Sequence, residues 1–192
     1  SKDLGITIAG VNSLFPVGDA RREAYFYKLD DPEWQEAGLA YLYKWRYARY
    51  GSSVAGEVWL SGMDVNRVIF RLADMYLLRA ECRVKMDDRT GAEADLNVIR
   101  QRAGAEMWPA KNDSGDLKYD IFREREKELL YEGHRYYDVV RNGYWKTELQ
   151  GNFSELSVDD VKDGALYMPV PQTAFSQNDL MIQNAFWASK MK

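Results

Sequence analysis

The stretch LKYDIFREREKELLYEGHRYYDVVRNG, residues 117–143, decides how the rest of the chain is interpreted. Apolar side chains recur along it at the three- and four-residue spacing of an α-helix, and a glycine ends the pattern. Asp116, just before it, can cap the first turn by accepting a backbone N–H. The pattern therefore predicts one long helix from Leu117 to about Gly143.

The charged residues of this stretch have a structural interpretation. Opposite charges three residues apart, such as Glu132 with Arg135 and Asp138 with Arg141, share one face of a helix. On this interpretation the side chains lie partly buried between helices, and each satisfies the other. Replacing Glu132 or Arg135 with alanine is then expected to destabilise the fold, because the remaining partner stays buried without its counter-charge.

The same residues also have an enzymatic interpretation. Glu128, Glu132 and His134, which is the only histidine of the chain, are the candidates for a hydrolase. Acid–base cleavage of a glycosidic bond needs two carboxyl groups facing a cleft, one of them with a raised pKa. Both glutamates have an arginine three residues away, and a nearby cation lowers a carboxyl pKa instead. With no second histidine for a metal set and no GxSxG nucleophile motif, we expect neither catalysis nor a metal site.

Two further helices are predicted upstream. The segment RVIFRLADMYLLRAECRVKM, residues 67–86, has a wide apolar arc, which predicts a helix buried on most sides. Thr90 and Glu93 fit a capping box for a second helix, from Gly91 to about Ala103. The two helices form a predicted antiparallel hairpin of about 36 residues, close to the period of a tetratricopeptide repeat, although the sequence holds no second copy.

The first part of the chain has a different character. Aromatic residues are frequent there and turn-forming segments such as PVGD and RYGSS interrupt any helical period. Short strands and loops are predicted, with one short helix from Pro32 to about Leu39, and the segments YFYKL and YLYKW are predicted to pair. We therefore divide the single predicted domain into a loop-rich aromatic segment, 1–66, and a helical region, 67–192. Within the latter, the PVP motif predicts an extended tail.

The composition argues against several classes of function. The net charge is −4 and no block of lysine and arginine is long enough to follow a phosphate backbone, so no nucleic-acid partner is expected. The single cysteine, Cys82, rules out an internal disulfide and a cysteine-based zinc site. Because it stands in an apolar helical stretch, it is predicted to be a buried, inert thiol. No run of apolar residues is long enough to span a membrane.

Several segments together resemble the SusD/RagB family of surface nutrient-binding lipoproteins of Bacteroidetes. EREKELLYEGHRYYDVVRNG, residues 124–143, resembles the signature helix of that family, with Val139 in place of a leucine. FRLADMYLLRAEC, ADLNVIRQRAG and LYMPVPQTAFSQNDLMIQN resemble three further blocks in the family order, and GDARREAYFY and KWRYARY resemble elements upstream. The terminal QNPGY of the family is replaced here by QNAFW, at residues 183–187, and Thr173-Ala174 stand where a glutamate is usual. The resemblance covers essentially the whole chain but only the C-terminal part of the family.

The resemblance implies a mainly α-helical SusD-like fold, with a tetratricopeptide-like helix hairpin, a long helix, irregular loops and a small β-hairpin. It implies non-catalytic capture of a glycan or other nutrient, and delivery to a TonB-dependent, SusC-like transporter at the outer membrane. No cofactor is implied. Because family members are usually far longer, we expect a fragment or truncated form, with the lipid anchor of the cell-surface protein outside this chain and part of its helical surface left as an apolar patch. A tetratricopeptide-like scaffold that binds only protein is the alternative.

The residues that bind the glycan are expected in the aromatic segment. An aromatic ring can cover the apolar C–H face of a pyranose, while asparagine, arginine or aspartate side chains bind its hydroxyl groups. The candidates are Trp34, Trp45, Trp59, Tyr25 and Arg46. For each of them, packing in the core or against a missing N-terminal half is the alternative, and no sugar-specific motif transfers from the family.

Overall fold

The structure is a computed structural model that describes residues 6–63, 68–149, 151–176, 178 and 180–190. The chain folds into two compact units, Ser1–His134 and Arg135–Lys192. The predicted division between the aromatic segment 1–66 and the helical region 67–192 stays a prediction.

The first unit begins with a small antiparallel sheet. Its strands are β1 (Ile6–Thr7), β2 (Phe26–Tyr27) and β3 (Leu39–Leu42), with β3 in the middle. Helices α1 (Ile8–Leu14), α2 (Ala20–Tyr25) and α3 (Pro32–Ala37) lie in the connections. Phe26 stands opposite Leu42 and Tyr27 opposite Tyr41, which confirms the predicted pairing of YFYKL with YLYKW. The apolar core under this sheet consists of Ile8, Val11, Leu14, Phe15, Phe26, Leu29 and Ala40.

A separate two-stranded ribbon follows the sheet. Strands β4 (Ala48–Ser52) and β5 (Val58–Met63) pair antiparallel, and Gly51 stands opposite Trp59. The connecting turn is closed by a hydrogen bond from the Ser53 N–H to the Glu57 carbonyl, 2.9 Å long. Gly56 has φ +83° in this turn, a left-handed conformation that is easiest for glycine.

The predicted helix hairpin is present, with a different cap. Helices α4 (Leu72–Lys85) and α5 (Arg89–Arg102) pack through small and branched apolar residues. The capping box predicted from Thr90 and Glu93 is wrong, because the helix begins one residue before Thr90. Asp88 is the cap, and its carboxylate accepts the Gly91 N–H at 3.0 Å.

The prediction that α4 is buried on most sides is wrong. Its buried residues are Ala73, Asp74, Leu77, Ala80 and Glu81, while Leu72 is 71% and Met75 42% exposed. Cys82 is exposed as well, so the prediction of a buried thiol is also wrong. The apolar arc of α4 is wider than the surfaces of α5 and of the next helix that pack against it. An apolar strip therefore remains on the surface of this helix.

The prediction of one long helix over residues 117–143 is also wrong, because this stretch forms two helices in the structure. Helix α6 (Leu117–Glu128) is capped by Asp116, as predicted, and α7 (Arg135–Asn142) starts after a turn. Tyr131 and Gly133 take positive φ values of 63° and 86° in that turn. The carbonyl of Glu128 accepts hydrogen bonds from side chains elsewhere in the fold, so the helix ends where these donors bind.

The second unit consists of short helices. They are α7, α8 (Trp145–Glu148), a 3-10 turn (Gly151–Phe153), α9 (Val158–Lys162), α10 (Gln172–Phe175) and α11 (Ala185–Lys190). The chain is extended at the PVP motif, where the side chain of Gln183 hydrogen-bonds both the N–H and the carbonyl of Val170. The predicted extended tail is interrupted by α10 and α11. Across the described part of the chain, no helix is long and apolar enough to cross a bilayer.

Candidate functional site

A network of charges, in which the carboxylates are buried, surrounds the C-terminal end of α6 in the first unit. We call it the ionic cluster, and its members are Asp19, Arg21, Lys44, Arg71, Arg102, Glu124, Glu128 and Glu132. The carboxylate of Glu128 is fully buried and contacts three arginines. One oxygen lies 2.5 Å from both Arg71 Nη1 and Arg102 Nη2, and the other lies 3.2 Å from Arg21 Nη1.

The ionic cluster has the wrong electrostatics for acid catalysis. Burial alone would raise the pKa of the Glu128 carboxyl, but hydrogen bonds and charges from Arg102 and Arg71 hold it below its usual range. Glu132 is bound by Arg71 Nε at 2.8 Å and by Lys44 Nζ at 2.5 Å, and its pKa is likewise lowered against the effect of burial. A general acid needs a raised pKa, so the surroundings of both glutamates work against that role.

Only some of the predicted ion pairs form. The pair of Asp138 with Arg141 is confirmed, at 2.6 Å. The prediction that Glu132 pairs with Arg135 is wrong, because Arg135 binds Glu148 in the second unit. These two residues lie on either side of the helix break, so they do not share a helix face as a continuous helix would require.

Lys44 connects the ionic cluster to the segment that follows β3. Its ammonium group donates to the carbonyls of Glu128 and Leu130, at 3.1 and 3.0 Å, in addition to its bond with Glu132. It also lies 4.1 Å from the ring centroid of Tyr25. Burial lowers the pKa of Lys44, although its carboxylate partner acts in the opposite direction. The side chain of Lys44 thus holds the segment 43–47 against the end of α6.

Tyr25 belongs to the same environment. Its hydroxyl donates to the Glu128 carbonyl at 3.1 Å, and its ring packs edge-on to Phe15. Burial, followed by the charge of Glu128, raises the pKa of Tyr25 well above its usual value. This candidate therefore lies half-buried at the edge of the ionic cluster.

An exposed group of aromatic and cationic side chains lies on the segment 43–47 and at the end of β2. We call it the tyrosine–arginine surface, and its members are Tyr27, Lys28, Tyr43, Arg46 and Tyr47. The rings of Tyr27 and Tyr43 are 5.4 Å apart at 52°. The guanidinium of Arg46 lies 4.8 Å from the ring centroid of Tyr43 and 5.1 Å from that of Tyr47, which is 60% exposed. Aromatic faces and a hydrogen-bond donor are thus presented together to solvent.

Trp59 forms a second aromatic surface, on the two-stranded ribbon. Its indole lies across Gly51, so close that a Cβ at residue 51 would stand 2.8 Å from the indole Cε2 and Cζ2 atoms. The residue is nevertheless 50% exposed. Because one part of the ring rests on the backbone of Gly51, the ring is held in place while its remaining surface faces solvent. We call this pair the Trp59 platform.

The remaining candidates lie nearby in sequence. Trp45 is half-buried in the turn after β3, next to Lys44. Trp34 lies in α3, and its side chain is outside the described part of the structure. Tyr43, Tyr47 and Gly51 were not among the candidates predicted from the sequence. The alternating tyrosines of YFYKL and YLYKW could have indicated the first of them, since every second residue of a strand faces the same side.

A polar cleft of about 260 Å³ also opens in the first unit. Its wall includes Arg100, which binds the carboxylates of Asp113 at 2.8 Å and Glu124 at 3.0 Å. Hydrogen bonds and the charge of Arg100 lower the pKa of Asp113 against its partial burial. Both of these carboxylates are therefore used in ion pairs with Arg100.

Comparison with known proteins establishes the family. The sequence profile of the SusD family (SusD_RagB) matches residues 30–187, and the chain belongs to this family. The expected SusD-like, mainly helical fold is confirmed by solved structures. A SusD homologue from Bacteroides thetaiotaomicron superposes over 94% of this chain with a TM-score of 0.69 and 27% identity. A SusD superfamily protein from Bacteroides vulgatus superposes over 93% with a TM-score of 0.59 and 27% identity.

Two relatives in Formosa agariphila share more local sequence. SusD-like protein P25 is 41% identical over 81 residues, which are 41% of this chain and 15% of that protein. SusD-like protein P38 is 33% identical over 106 residues, 51% of this chain and 21% of that protein. The chain also covers 38% of each of the two superposed structures. It therefore spans only a minor part of the length of its relatives.

Proposed function

We propose that this chain belongs to a non-catalytic protein that captures a glycan or another nutrient at the bacterial cell surface. The full-length protein is lipid-anchored in the outer membrane and delivers its ligand to a TonB-dependent, SusC-like transporter. Membership of the SusD family supports this role in general terms. The buried and arginine-paired state of Glu128 and Glu132 supports a role without acid–base chemistry.

The Trp59 platform is the observation that carries the proposal. A pyranose ring binds to protein through its apolar C–H face, and an exposed, immobilised aromatic ring is the complementary surface. Trp59 meets both requirements, because Gly51 fixes the ring and half of the residue remains exposed. The tyrosine–arginine surface adds further rings and a guanidinium that can donate to sugar hydroxyl groups.

Calorimetric titration of the full-length protein with a panel of oligosaccharides tests this function. The panel contains glucans, mannans, xylans and galactans, each as a neutral and an acidic form where both exist. We expect at least one member to bind, and Trp59→Ala to weaken that binding about tenfold, which corresponds to about 1.4 kcal/mol. Val58→Ala is the matched control, because Val58 is an exposed neighbour whose side chain lies on the opposite face of the strand.

Two results would contradict the proposal. Either no oligosaccharide binds at millimolar concentration, or Trp59→Ala loses no more affinity than the control Val58→Ala. Circular dichroism spectra of the two variants, recorded in parallel, ensure that a lost affinity is not a lost fold.

A further inference from the structure

We propose that the saccharide bound by the tyrosine–arginine surface carries a negatively charged group, a carboxylate or a sulfate ester, and that Arg46 binds this group. The inference rests on the proposed function and narrows its ligand class. It is carried by the surroundings of Arg46, which differ from those of the first-unit arginines that bind carboxylates.

Arg46 is exposed and held by aromatic rings. Its guanidinium carbon lies over the rings of Tyr43 and Tyr47, at 4.8 and 5.1 Å from their centroids. Its hydrogen bond is a long one, 3.4 Å from Nη1 to the carbonyl of Tyr43. Cation–π contacts of this kind orient a guanidinium while leaving most of its five N–H donors available.

The charge of Arg46 is not neutralised by a carboxylate in the described part of the chain. In the same unit, by contrast, Arg71 binds Glu128 and Glu132, and Arg100 binds Asp113 and Glu124. Arginines elsewhere in this unit, including Arg22, Arg79, Arg83 and Arg125, also bind an aspartate. Arg46 is thus an oriented cation on a surface whose other described members are three tyrosines and Lys28.

Lys28 makes the surface more positive. Its ammonium lies 5.6 Å from the ring centroid of Tyr27, and it reaches Asp31 only at 3.8 Å, with both side chains substantially exposed. Such an exposed pair contributes little and is screened by salt. Tyr27 lies against Tyr43, so the second cation is placed two rings away from Arg46.

This arrangement favours an anionic saccharide over a neutral one. The rings can cover the C–H face of a sugar, as they would for any pyranose. A guanidinium gains more from an anion, because it binds a carboxylate or sulfate with two parallel hydrogen bonds that are roughly twice as strong as neutral ones. The ligand that uses both parts of the surface is therefore a sugar with an acidic substituent next to a face that stacks.

The test is titration of the full-length protein with two matched pairs of oligosaccharides. Oligogalacturonate and its methyl ester differ in the carboxylate, and a sulfated galactan oligosaccharide and its desulfated form differ in the sulfate ester. We expect the acidic member of one pair to bind at least tenfold more tightly than its neutral partner. The difference is expected to shrink as the salt concentration rises from 50 to 300 mM, because salt screens exposed charges.

Arg46→Gln is expected to reduce the affinity for the acidic member to that of its neutral partner, and Arg46→Lys to retain part of the difference. Arg89→Gln is the matched control: it removes an arginine that also lies over an aromatic ring, 5.1 Å from the centroid of the buried Trp108, but on α5. This control is expected to leave both affinities unchanged.

The outcomes separate this inference from the function on which it rests. Equal binding of the acidic and neutral members, or an equal loss for both in Arg46→Gln, overturns the inference and leaves glycan capture standing. Equal losses in Arg46→Gln and Arg89→Gln overturn it too, since net charge alone would then be responsible. If no oligosaccharide of these pairs or of the wider panel binds, the proposed function fails and the inference fails with it.

Discussion

The ionic cluster and the tyrosine–arginine surface use arginine in opposite ways. In the cluster, Arg21 is 4% exposed and bound to Asp19, Glu124 and Glu128. On the surface, Arg46 is exposed and lies against two tyrosine rings. A guanidinium that is buried with carboxylates holds the fold together, whereas one that is oriented by aromatic rings can bind a ligand. The comparison shows that the surroundings of a charge, not its residue type, decide its role.

The strongest way to break this comparison is to remove a carboxylate from the cluster. Glu128→Gln is expected to destabilise the protein by about 3–5 kcal/mol, because three arginines lose the charge that they share. Thermal unfolding should show a melting temperature lower by about 10 °C. Glu36→Gln, an exposed change in α3, is the control and should leave the melting temperature unchanged. Matching curves for the two variants would mean that the cluster contributes no stability.

The next largest effect is expected where the two regions meet. Lys44→Met leaves the carbonyls of Glu128 and Leu130 and the carboxylate of Glu132 without this donor, at a cost of about 1–3 kcal/mol. It should also weaken ligand binding, since Lys44 holds the segment that carries Tyr43 and Arg46. Lys44→Arg should restore part of both losses. Urea unfolding and calorimetry measure them separately, and a loss of stability with unchanged affinity would show that the two regions are independent.

The pH dependence sharpens the contrast further. The pKa values of Glu128 and Glu132 are lowered in the folded state, so these groups stabilise the fold above their unfolded pKa near 4.5. This stabilisation is lost as the pH falls from about 4.5 through the lower pKa values of the two groups in the folded state. We expect urea unfolding free energies to be level from pH 7 to 5 and to fall below pH 4.5. Glu132→Gln should flatten this fall, and a variant with the unmodified slope would exclude Glu132 as a contributor.

The smallest expected effect concerns the Trp59 platform. Gly51→Ala places a methyl group 2.8 Å from the indole, so the ring must move and ligand affinity should drop a few-fold. Gly62→Ala, in the facing strand, meets no atom within 4 Å and is the matched control. Tryptophan fluorescence of the two variants measures whether the indole moves, and titration measures the change in ligand affinity. Identical spectra and affinities for both would show that the ring is not held by Gly51.

Local sequence patterns predicted the fold as far as local interactions determine it. The pairing of β2 with β3, the helix hairpin and the Asp116 cap each depend on residues close together in the chain. The break after Glu128 does not, because its cause is the binding of the Glu128 carbonyl by Tyr25, Lys44 and Arg71. Helical periodicity in residues 117–143 carries no information about donors that are far away in sequence.

The candidate site was predicted less completely. Arg46 was selected for its chemistry, and the structure places it against Tyr43 and Tyr47. Trp59 was selected as an aromatic residue of the loop-rich segment, but its platform depends on the strand register that brings Gly51 opposite it. Register across a turn follows from the whole hairpin, including the irregularity between Arg49 and Tyr50. The positions of aromatic residues in the sequence do not reveal this register.

The sequence distances within the ionic cluster have a consequence for the order of folding. The hydrogen bonds to Glu128 span 107 residues from Arg21, 84 from Lys44 and 57 from Arg71. During synthesis, these cations leave the ribosome long before the carboxylates that they bind. The small sheet and the helix hairpin can form from nearby residues, but closure of the first unit must wait until Glu132 has emerged. Contacts of such high sequence separation form slowly, so we expect this closure to be a late step of folding.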